Sequence, residues 1–449
     1  MLRSMRAKNF KSWADTGDIR LAPLTGFYGA NSSGKTSLLQ MLLLLKQSAA
    51  SSDPRQVLFL GDENSPVNLG TFQDIIHFHD IGQVFEANLI LYNSTSDIPN
   101  YHPEPDELEE DDDFYLEFHA AIQQKNDRLV IKSFAYEAGE MRSPLGMELI
   151  DPETEEYLLR TSDFEPKEGK QSRLTTREKP IKFYEFPRST SLQFRVAQYA
   201  YAGMLSNFLE NGLSQLEYLG PLREHPQRTY LWAGDTPSNV GKRGERAVAA
   251  LLSSRVENHS YYVELKVADW LKRMGLIDSF SLRSIAPGRR DYELVVKKTP
   301  SSAEVLITEI GFGVSQVLPV LVLCYYVPEG STIILEQPEI HLHPSVQADL
   351  ADVFIEVSKE RNVQIIFESH SEYLLHRLQR RIAEEQLKRD DAALYFCDMN
   401  DDGSSRIEEL RLDEYGNIAN WPRAFFGDTT GDLVAMTEAE MQRKLKESE

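Results

Sequence analysis

A glycine-rich segment near the start of the chain has the residue types and spacing of a phosphate-binding loop. It fits G-x-x-x-x-G-K-T from Gly29 to Thr36, between a short apolar strand and the helical stretch SLLQMLLLLKQS. The glycines let the backbone curl so that its N–H groups and the helix N-terminus point at phosphate oxygens. Lys35 adds a charge for the β and γ phosphates, and the Thr36 hydroxyl can ligate Mg²⁺. We therefore predict an ATP and Mg²⁺ site whose nucleotide-binding residues are Gly29, Asn31, Ser32, Ser33, Gly34, Lys35, Thr36 and Ser37.

A second cluster of reactive side chains lies in ILEQPEIHLHP, which begins at Ile334. An apolar strand ends there in Glu336. Because parallel sheets bind ligands at the carboxyl ends of their strands, we expect Glu336 to hold Mg²⁺ together with Thr36. In P-loop ATPases the next residue is usually a glutamate that activates water, but this chain has Gln337, whose amide orients water and cannot take its proton. Two interpretations stay open: hydrolysis is slow, or Glu336, Glu339 or a histidine supplies the base.

A third apolar strand, in NVQIIFESHSEYLLHRL, also ends in polar residues just before a helix. A histidine at the end of a neighbouring parallel strand can hydrogen-bond the γ-phosphate or the attacking water. We therefore add His370 to Glu336 and Gln337 as a catalytic candidate. His341 and His343 lie where another helix opens, and they either cap that helix or touch nucleotide.

A second glycine-rich turn precedes the Glu336 strand, in TEIGFGVSQVLPVLVLCYY. Gly311 and Gly313 come before Ser315 and Gln316, where a helix begins. A hydroxyl at a helix N-terminus after a glycine-rich turn is an anion site. Its place about twenty residues before the acidic strand favours a role in the same chemistry.

The composition limits the classes of partner. The chain has 449 residues and a formal net charge of -22, which argues against a surface that coats DNA without regard to sequence. Its start, MLRSMRAKNF, has no apolar targeting segment, and its longest apolar runs are far shorter than the roughly 20 residues that cross a bilayer. We expect a cytoplasmic protein without membrane contact, with Cys324 and Cys397 as buried thiols.

The order of apolar and polar segments predicts an α/β fold with a mostly parallel sheet, flanking helices, an inserted β-rich lobe and a small C-terminal α+β element. The inserted β-rich lobe also contains a helical stretch and an acidic loop at 103–113. The C-terminal element is a hairpin and tail for docking or oligomerisation. The predicted parts are the first half of an ATPase head at 1–75, the lobe at 76–215, the second half of the head at 216–395 and the C-terminal element at 396–449.

The chain contains a P-loop, a Gly/Ser helix start, an acidic strand and a terminal histidine, in this order. This order resembles that of the ABC-class ATPase head of Rad50/SMC, RecF and OLD-type proteins. The resemblance implies that two heads sandwich ATP. It implies further that Gly313, Ser315 and Gln316 form the signature that contacts the γ-phosphate of the other copy. Gln337 falls on the catalytic glutamate of the class. Gln73, in LGTFQDIIH, matches loosely the glutamine that senses Mg²⁺.

The chain resembles more closely a bacterial AAA-type ATPase family with a small C-terminal domain of unknown function. The segments that carry this resemblance are NFKSW, YLGPLREHPQRTY, GFGVSQVLPVLV, EQPEIHLHP and WPRAFFGD. That family is frequent in anti-phage defence cassettes, as in Septu- and PARIS-like systems. The resemblance implies an ATPase that forms dimers or higher homo-oligomers and acts as a sensor or scaffold for a separate effector, a nuclease or a toxin.

Two other functions stay open. A built-in nuclease would use Asp398, Asp401 and Asp402 as metal ligands, although Asp401-Asp402-Gly403 is more typical of a hairpin turn. An ATP-gated DNA clamp of the RecF or Rad50 kind would use the basic stretch APGRRDYELVVKK and the arginines near Arg377, which otherwise form a solvated face.

Overall fold

The protein is described from a computed structural model, whose described residues are 1–93, 114–139, 144–160, 175–187, 196–257, 261–422, 425–426 and 429–447. The acidic loop predicted at 103–113 lies outside them. The strands are β1 (Leu2–Phe10), β2 (Trp13–Asp15), β3 (Ile19–Arg20), β4 (Leu24–Gly29), β5 (Phe85–Asn93), β6 (Phe114–Lys125), β7 (Arg128–Ala138), β8 (Leu145–Asp151), β9 (Glu156–Arg160), β10 (Thr175–Thr176), β11 (Leu216–Leu219), β12 (Tyr230–Leu231), β13 (Ser279–Ser284), β14 (Asp291–Lys297), β15 (Val305–Leu306), β16 (Thr332–Glu336), β17 (Gln364–Glu368), β18 (Ala392–Met399) and β19 (Ser405–Glu409). The helices are α1 (Lys35–Ala50), α2 (Phe72–Ile75), α3 (Val196–Ser214), α4 (Ala247–Glu257), α5 (Tyr262–Arg273), α6 (Phe312–Tyr326), α7 (Pro344–Arg361), α8 (Glu372–Ala383) and α9 (Thr429–Glu447).

A six-stranded sheet in the order β11-β16-β17-β4-β18-β19 forms the centre of the molecule. Its first five strands are parallel, and β19 runs antiparallel to β18 at one edge. The strands β4, β16 and β17 are buried along their whole length and are mostly apolar, as strands covered on both faces must be. This sheet carries the predicted site.

Alternate side chains of the central strands pack into two separate cores, because successive residues of a strand point to opposite faces. Phe27, Ile334 and Ile366 join the core that contains the leucines of α1 and the antiparallel lobe. Tyr28 and Leu335 join the core formed with α4 to α8. The central sheet is therefore covered on both faces, and ligands reach it at its edges and strand ends.

A nine-stranded sheet makes the second lobe, in the order β10-β9-β8-β7-β6-β5-β1-β2, with β3 also paired to β1. All of its pairs are antiparallel, and β6 and β7 alternate buried and more exposed residues, as the sequence predicts. The lobe is not confined to the predicted segment 76–215. Strands β1 to β3 belong to it, so the segment 1–75 contributes to both sheets.

The C-terminal part completes the central sheet. The predicted boundary between 395 and 396 falls inside β18, which pairs with β4 along the P-loop strand. Strands β18 and β19 form the hairpin that the sequence predicts, with Gly403 at a φ of +85° in its turn. Within the described ranges, no helix has the length and apolarity needed to cross a membrane.

Aromatic residues of the tail pack against the P-loop strand. The ring of Phe425 lies 6.0 Å from that of Tyr28 and 4.9 Å from that of Phe396, edge to face in both cases. Trp421 lies 5.2 Å from Phe425 and remains 44% exposed. The tail aromatics are therefore packing residues for the end of β4.

Gln364 joins the two sheets through its side-chain amide, which is 1% exposed. Its Nε2 donates to the carbonyl oxygens of Leu2 (2.7 Å) and Ala22 (3.1 Å). Its Oε1 accepts from the Leu2 N–H (3.1 Å) and the Thr332 hydroxyl (3.1 Å). The amide thus uses all its hydrogen-bonding capacity to connect β1 of the lobe with β16 and β17 of the head.

Replacing Gln364 with leucine should lower the free energy of unfolding by about 4 kcal/mol, because buried backbone groups of Leu2 and Ala22 lose their partners. Chemical denaturation measures this loss. The matched control is Gln123→Leu on the half-buried strand β6, which should stay within about 0.5 kcal/mol of the wild type. Equal effects of the two substitutions would show that the amide does not join the sheets.

Candidate functional site

Two glutamates lie at the carboxyl ends of adjacent parallel strands. Glu336 ends β16, Glu368 ends β17, and the two residues are paired in register. Glu368 is in turn paired with Phe27, so the P-loop begins one strand away. Because β17 lies between β16 and β4, the side chain nearest the P-loop on this edge comes from β17.

The P-loop has a backbone that glycine alone can supply at two positions. Gly29 has a φ of +139°, and a Cβ there would lie 2.0 Å from the Cys397 carbonyl oxygen. Gly34 has a φ of +91° at the start of α1, and a Cβ there would lie 2.4 Å from the Ser405 hydroxyl oxygen. The indole of Trp13 donates to the Gly34 carbonyl oxygen (3.0 Å). The loop is thus held by β18, β19 and the segment after β1.

The Lys35 ammonium lies inside the P-loop, with the side chain 3% exposed. It donates to the carbonyl oxygens of Ala30 (2.7 Å) and Gly29 (3.1 Å) and to the Ser33 hydroxyl (3.4 Å). Burial lowers its pKa, and the charge of Glu368 opposes that shift. A phosphate that enters the loop would exchange these neutral acceptors for an anionic one, which binds an ammonium more strongly.

A cleft with a volume of about 210 Å³ opens beside the P-loop. The Thr36 hydroxyl donates to Glu368 Oε2 at 2.6 Å, and the Gln337 amide lies 3.5 Å from Glu368 Oε1. Gln337 has a positive φ of 44°, which turns the chain sharply after β16. The residues lining the cleft are Ser12, Asn31, Ser32, Ser33, Gly34, Lys35, Thr36, Ser37, Gln337 and Glu368.

Glu336 is not the carboxylate that contacts Thr36. Its Oε1 accepts a hydrogen bond from the Tyr218 hydroxyl (3.0 Å), and its side chain is 7% exposed. Burial, and next the charge of Glu368, raise the pKa of Glu336 to about 7. The direct partner of Thr36 is Glu368, a residue that the sequence interpretation places at a polar strand end without a role.

His370 lies two residues beyond β17, behind the P-loop. Its backbone N–H donates to Glu339 Oε1 (2.6 Å). Burial, and next the charge of Lys35, lower the pKa of the His370 imidazole, while a hydrogen bond with the Gly29 backbone opposes the shift. The ring is therefore near the P-loop strand and favours the neutral form, although it does not line the cleft.

The signature residues lie in the first turn of α6, away from the cleft of their own chain. The Ser315 hydroxyl donates to the Phe312 carbonyl oxygen (2.7 Å), and Ser315 and Gln316 are buried. Ser315 instead lines a small cavity with Glu224 and His225. Gly313 is half-buried in the same turn.

Gln73, the loosest candidate, lies in α2 with an exposed side chain and is not among the residues that line the cleft. His343 caps α7, since its Nδ1 accepts from the Ser345 N–H (3.3 Å). The ring of His341 lies 5.6 Å from the exposed ring of Phe312. The capping interpretation of the HLHP segment therefore holds for His343.

The oxygen donors of the cleft fit Mg²⁺, which prefers carboxylate, hydroxyl and phosphate oxygens. Thr36, Glu368 and, one strand further, Glu336 supply such oxygens. Across the described part of the chain, no group of three or more His, Cys, Asp or Glu side chains is arranged to hold a metal on its own. A magnesium ion here would depend on Thr36 and on the phosphates of the nucleotide.

Several residues near the site escaped the sequence interpretation. Ser12 lines the cleft. Tyr218 reaches Glu336 from β11, and Lys11 interacts electrostatically with the same carboxylate. Arg223 follows β11 and is almost fully buried beside Glu336. Two of these segments, NFKSW and YLGPLRE, are visible in the sequence as family motifs, but no spacing rule gives them a role.

Fold and site together define a P-loop ATPase head, and comparison with known families agrees. The chain belongs to the family described as "AAA domain, putative AbiEii toxin, Type IV TA system", whose model matches residues 24–376. A second model, "Protein of unknown function (DUF3696)", matches residues 387–436. The predicted fold class, the ATP-binding ATPase class and the small C-terminal domain of unknown function are confirmed. No curated protein matches the chain.

Among solved structures, similar chains include SMC heads. The SmcHead bound to the C-winged helix domain of ScpA has 13% identity and a TM-score of 0.45, and the match covers 92% of this chain and 98% of that one. The SMC head domain from Thermotoga maritima has 12% identity and a TM-score of 0.40, with 91% and 99% covered. At these values the likeness says nothing about function.

Replacing Glu336 with glutamine should stabilise the nucleotide-free, metal-free protein at pH 8 and hardly at all at pH 5. The pKa of Glu336 is raised to about 7 in the fold. Its contribution to stability is therefore complete below the ordinary glutamate pKa and is lost as the pH rises through 7, by up to about 3 kcal/mol. Thermal melting of both proteins in EDTA across this range measures the difference.

The control for this experiment is Glu356→Gln. Burial alone would raise the pKa of Glu356, but hydrogen bonds from Lys266 (2.8 Å) and Tyr325 (2.7 Å) bring it below the ordinary value. That substitution should therefore destabilise the protein at pH 8. A Glu336→Gln protein that melts lower than the wild type at pH 8 would contradict the assigned electrostatics.

Proposed function

We propose that this protein is an ATP-binding and ATP-hydrolysing head that closes as a homodimer and thereby controls a separate effector, a nuclease or a toxin, in bacterial anti-phage defence. The observation that carries the proposal is the cleft in which Lys35 and Thr36 of the P-loop face Gln337 and Glu368. Its family, described by toxin and toxin–antitoxin terms, supports the defence role. The tail at 396–449 is proposed to dock the effector or a further copy.

The site of one chain is incomplete in this proposal. Lys35 and Thr36 bind the triphosphate and its Mg²⁺, while Ser315 lies outside the cleft of its own chain. A second copy that faces the first would bring the N-terminus of α6, with Gly313, Ser315 and Gln316, to the γ-phosphate, where a helix N-terminus favours an anion. ATP would then hold the two heads together.

The hydrolytic step in this proposal relies on water held between the strand ends. Magnesium would supply charge stabilisation to the phosphates, and Thr36 and Glu336 would hold it, with Gln73 as a further candidate. The Gln337 amide orients the attacking water, and His370 hydrogen-bonds the γ-phosphate. Among the described residues that line the cleft, Glu368 is the one with a carboxylate group, so we assign it the base. This arrangement predicts slow turnover.

The alternative function, an ATP-gated DNA clamp, has less support from side-chain contacts. Arg377 pairs with Asp352 and with Asp349 (3.2 Å), and Arg381 pairs with Asp352 (2.6 Å). Arginines that are neutralised within the protein release few counterions from DNA. This arginine surface is therefore a poor DNA-binding surface.

Lys35→Ala should abolish ATP binding, whereas Gly313→Glu should bind ATP normally but fail to dimerise. Among the described residues, a Cβ at Gly313 meets only Leu276, at 3.7 Å, so the substitution fits the fold, and the new carboxylate would repel the triphosphate of the other copy. Equilibrium binding of labelled ATP and sedimentation with Mg²⁺ and ATPγS measure the two effects.

The matched control is Gly203→Glu in α3, where a Cβ meets nothing within 4 Å. It should bind ATP and dimerise like the wild type. Unaltered ATP affinity in Lys35→Ala would refute the phosphate assignment, and ATP-driven dimers of Gly313→Glu would refute the arrangement of the heads. Activation of the effector should follow dimerisation in all of these variants.

Gln337→Glu should hydrolyse ATP about tenfold faster than the wild type, since an acid replaces the amide beside the attacking water. The gain should appear mainly above neutral pH, because the new carboxylate lies beside Glu368 and like charges raise the pKa of one of them. Glu368→Gln should lose about a hundredfold in rate. Steady-state phosphate release against pH checks both; an unchanged rate in Glu368→Gln would exclude it as the base.

A further inference from the structure

Arg223 is the most unusual charged residue near the site. It lies four residues after β11 and is only 6% exposed. Among the described residues, none of its three guanidinium nitrogens has a hydrogen-bond partner. A buried cation without hydrogen bonds costs several kcal/mol unless something compensates for it. A side chain that has only a packing role would not need this charge.

The surroundings of Arg223 are those of the ATP site. Burial lowers its pKa to about 10, so the guanidinium keeps its charge at neutral pH, and the carboxyl groups of Glu336 and Glu339 partly oppose that shift. Two further buried atoms without a hydrogen-bond partner in the described chain, Glu339 Oε2 and His370 Nε2, belong to the same strand ends. Unsatisfied polar atoms therefore collect at this edge of the sheet.

The loop that carries Arg223 also borders the signature helix. Glu224 and His225 line the small cavity next to Ser315, and the ring of His225 lies 5.8 Å from that of Phe312. Arg223 is thus linked to the acidic strand end by its charge and to the N-terminus of α6 by its loop. These are the two elements that would meet a triphosphate at a closed interface.

Arg361 shows what a structural arginine looks like in the same protein. It is 9% exposed, and it donates to the carbonyl oxygens of Cys324 (2.8 Å) and Val327 (2.6 Å). Its charge and donors are used to hold the end of α6 against α7. Arg223 has comparable burial and no such acceptors in the described part of the chain.

We propose that Arg223 is an oxyanion-binding residue whose ligand is the terminal phosphate of ATP at the closed head interface. A planar guanidinium with several free donors suits a phosphate that presents two oxygens. The proposal rests on the proposed function, because it needs ATP at the P-loop and a closed interface. It adds a residue that distinguishes ATP from ADP.

The test is Arg223→Met, which keeps the volume and removes the charge. The affinity for ATPγS with Mg²⁺ should fall about tenfold while the affinity for ADP stays unchanged. Only ATPγS carries the γ-group whose contact with Arg223 is removed. The nucleotide-free variant should melt at or above the wild-type temperature, because a buried unpaired charge is gone. Arg223→Lys should recover part of the ATPγS affinity.

The matched control is Arg361→Met, which should melt several degrees lower and keep the wild-type ratio of ATPγS to ADP affinity. If Arg223→Met also melts lower and keeps that ratio, Arg223 is structural and the proposal is wrong. If wild-type protein binds neither nucleotide, the proposed function fails instead, and the two failures are thus distinguishable.

Mixing Arg223→Met with Lys35→Ala shows whether Arg223 contacts the nucleotide bound to its own copy or the one bound to the other copy. If Arg223 serves the nucleotide of the other copy, mixed dimers contain one intact site, and the mixture should recover about a quarter of the wild-type hydrolysis. If it serves the nucleotide of its own copy, no intact site forms and the mixture stays inactive. Wild-type hydrolysis by Arg223→Met alone would overturn the proposal in either form.

Discussion

Two carboxylates lie side by side in a buried position, and their mutual repulsion constrains the residues around them. Glu336 and Glu368 are paired in register at the ends of adjacent parallel strands, and both are almost fully covered. Parallel register leaves no freedom to separate them, because each residue has a fixed neighbour on the next strand. Two features reduce this cost: Thr36 and Tyr218 donate hydrogen bonds to the carboxylates, and the pKa of Glu336 is raised to about 7.

The same constraint gives a physical reason for Gln337. Its amide lies 3.5 Å from the carboxylate of Glu368 and can donate to it. A glutamate at this position would add a third negative charge to the pair. The amide therefore lowers the electrostatic cost of the cleft, and in the proposed mechanism the same residue accounts for slow hydrolysis.

The sequence was sufficient for the parts of the site that depend on local spacing. The P-loop from Gly29 to Thr36 and the mostly parallel sheet follow from glycine positions and apolar runs. The contact between Thr36 and Glu368 joins residues 332 positions apart and depends on strand order, which no local pattern gives. The same holds for Arg223, since burial without partners is a property of packing. The sheets also cross the predicted domain limits, because β1 pairs with β5 and β18 pairs with β4.

β4, the strand that precedes the P-loop, lies early in the chain, whereas the two strands that pair with it lie much later. β4 pairs with β17 on one side and with β18 on the other, and Tyr28 at its end packs under Phe425. During synthesis, β4 therefore reaches its two neighbours only after β17 and β18 have been made, whereas β1 can pair earlier with β2, β3 and β5. The strand that precedes the phosphate-binding loop is therefore completed by long-range pairing, which is slow compared with local pairing.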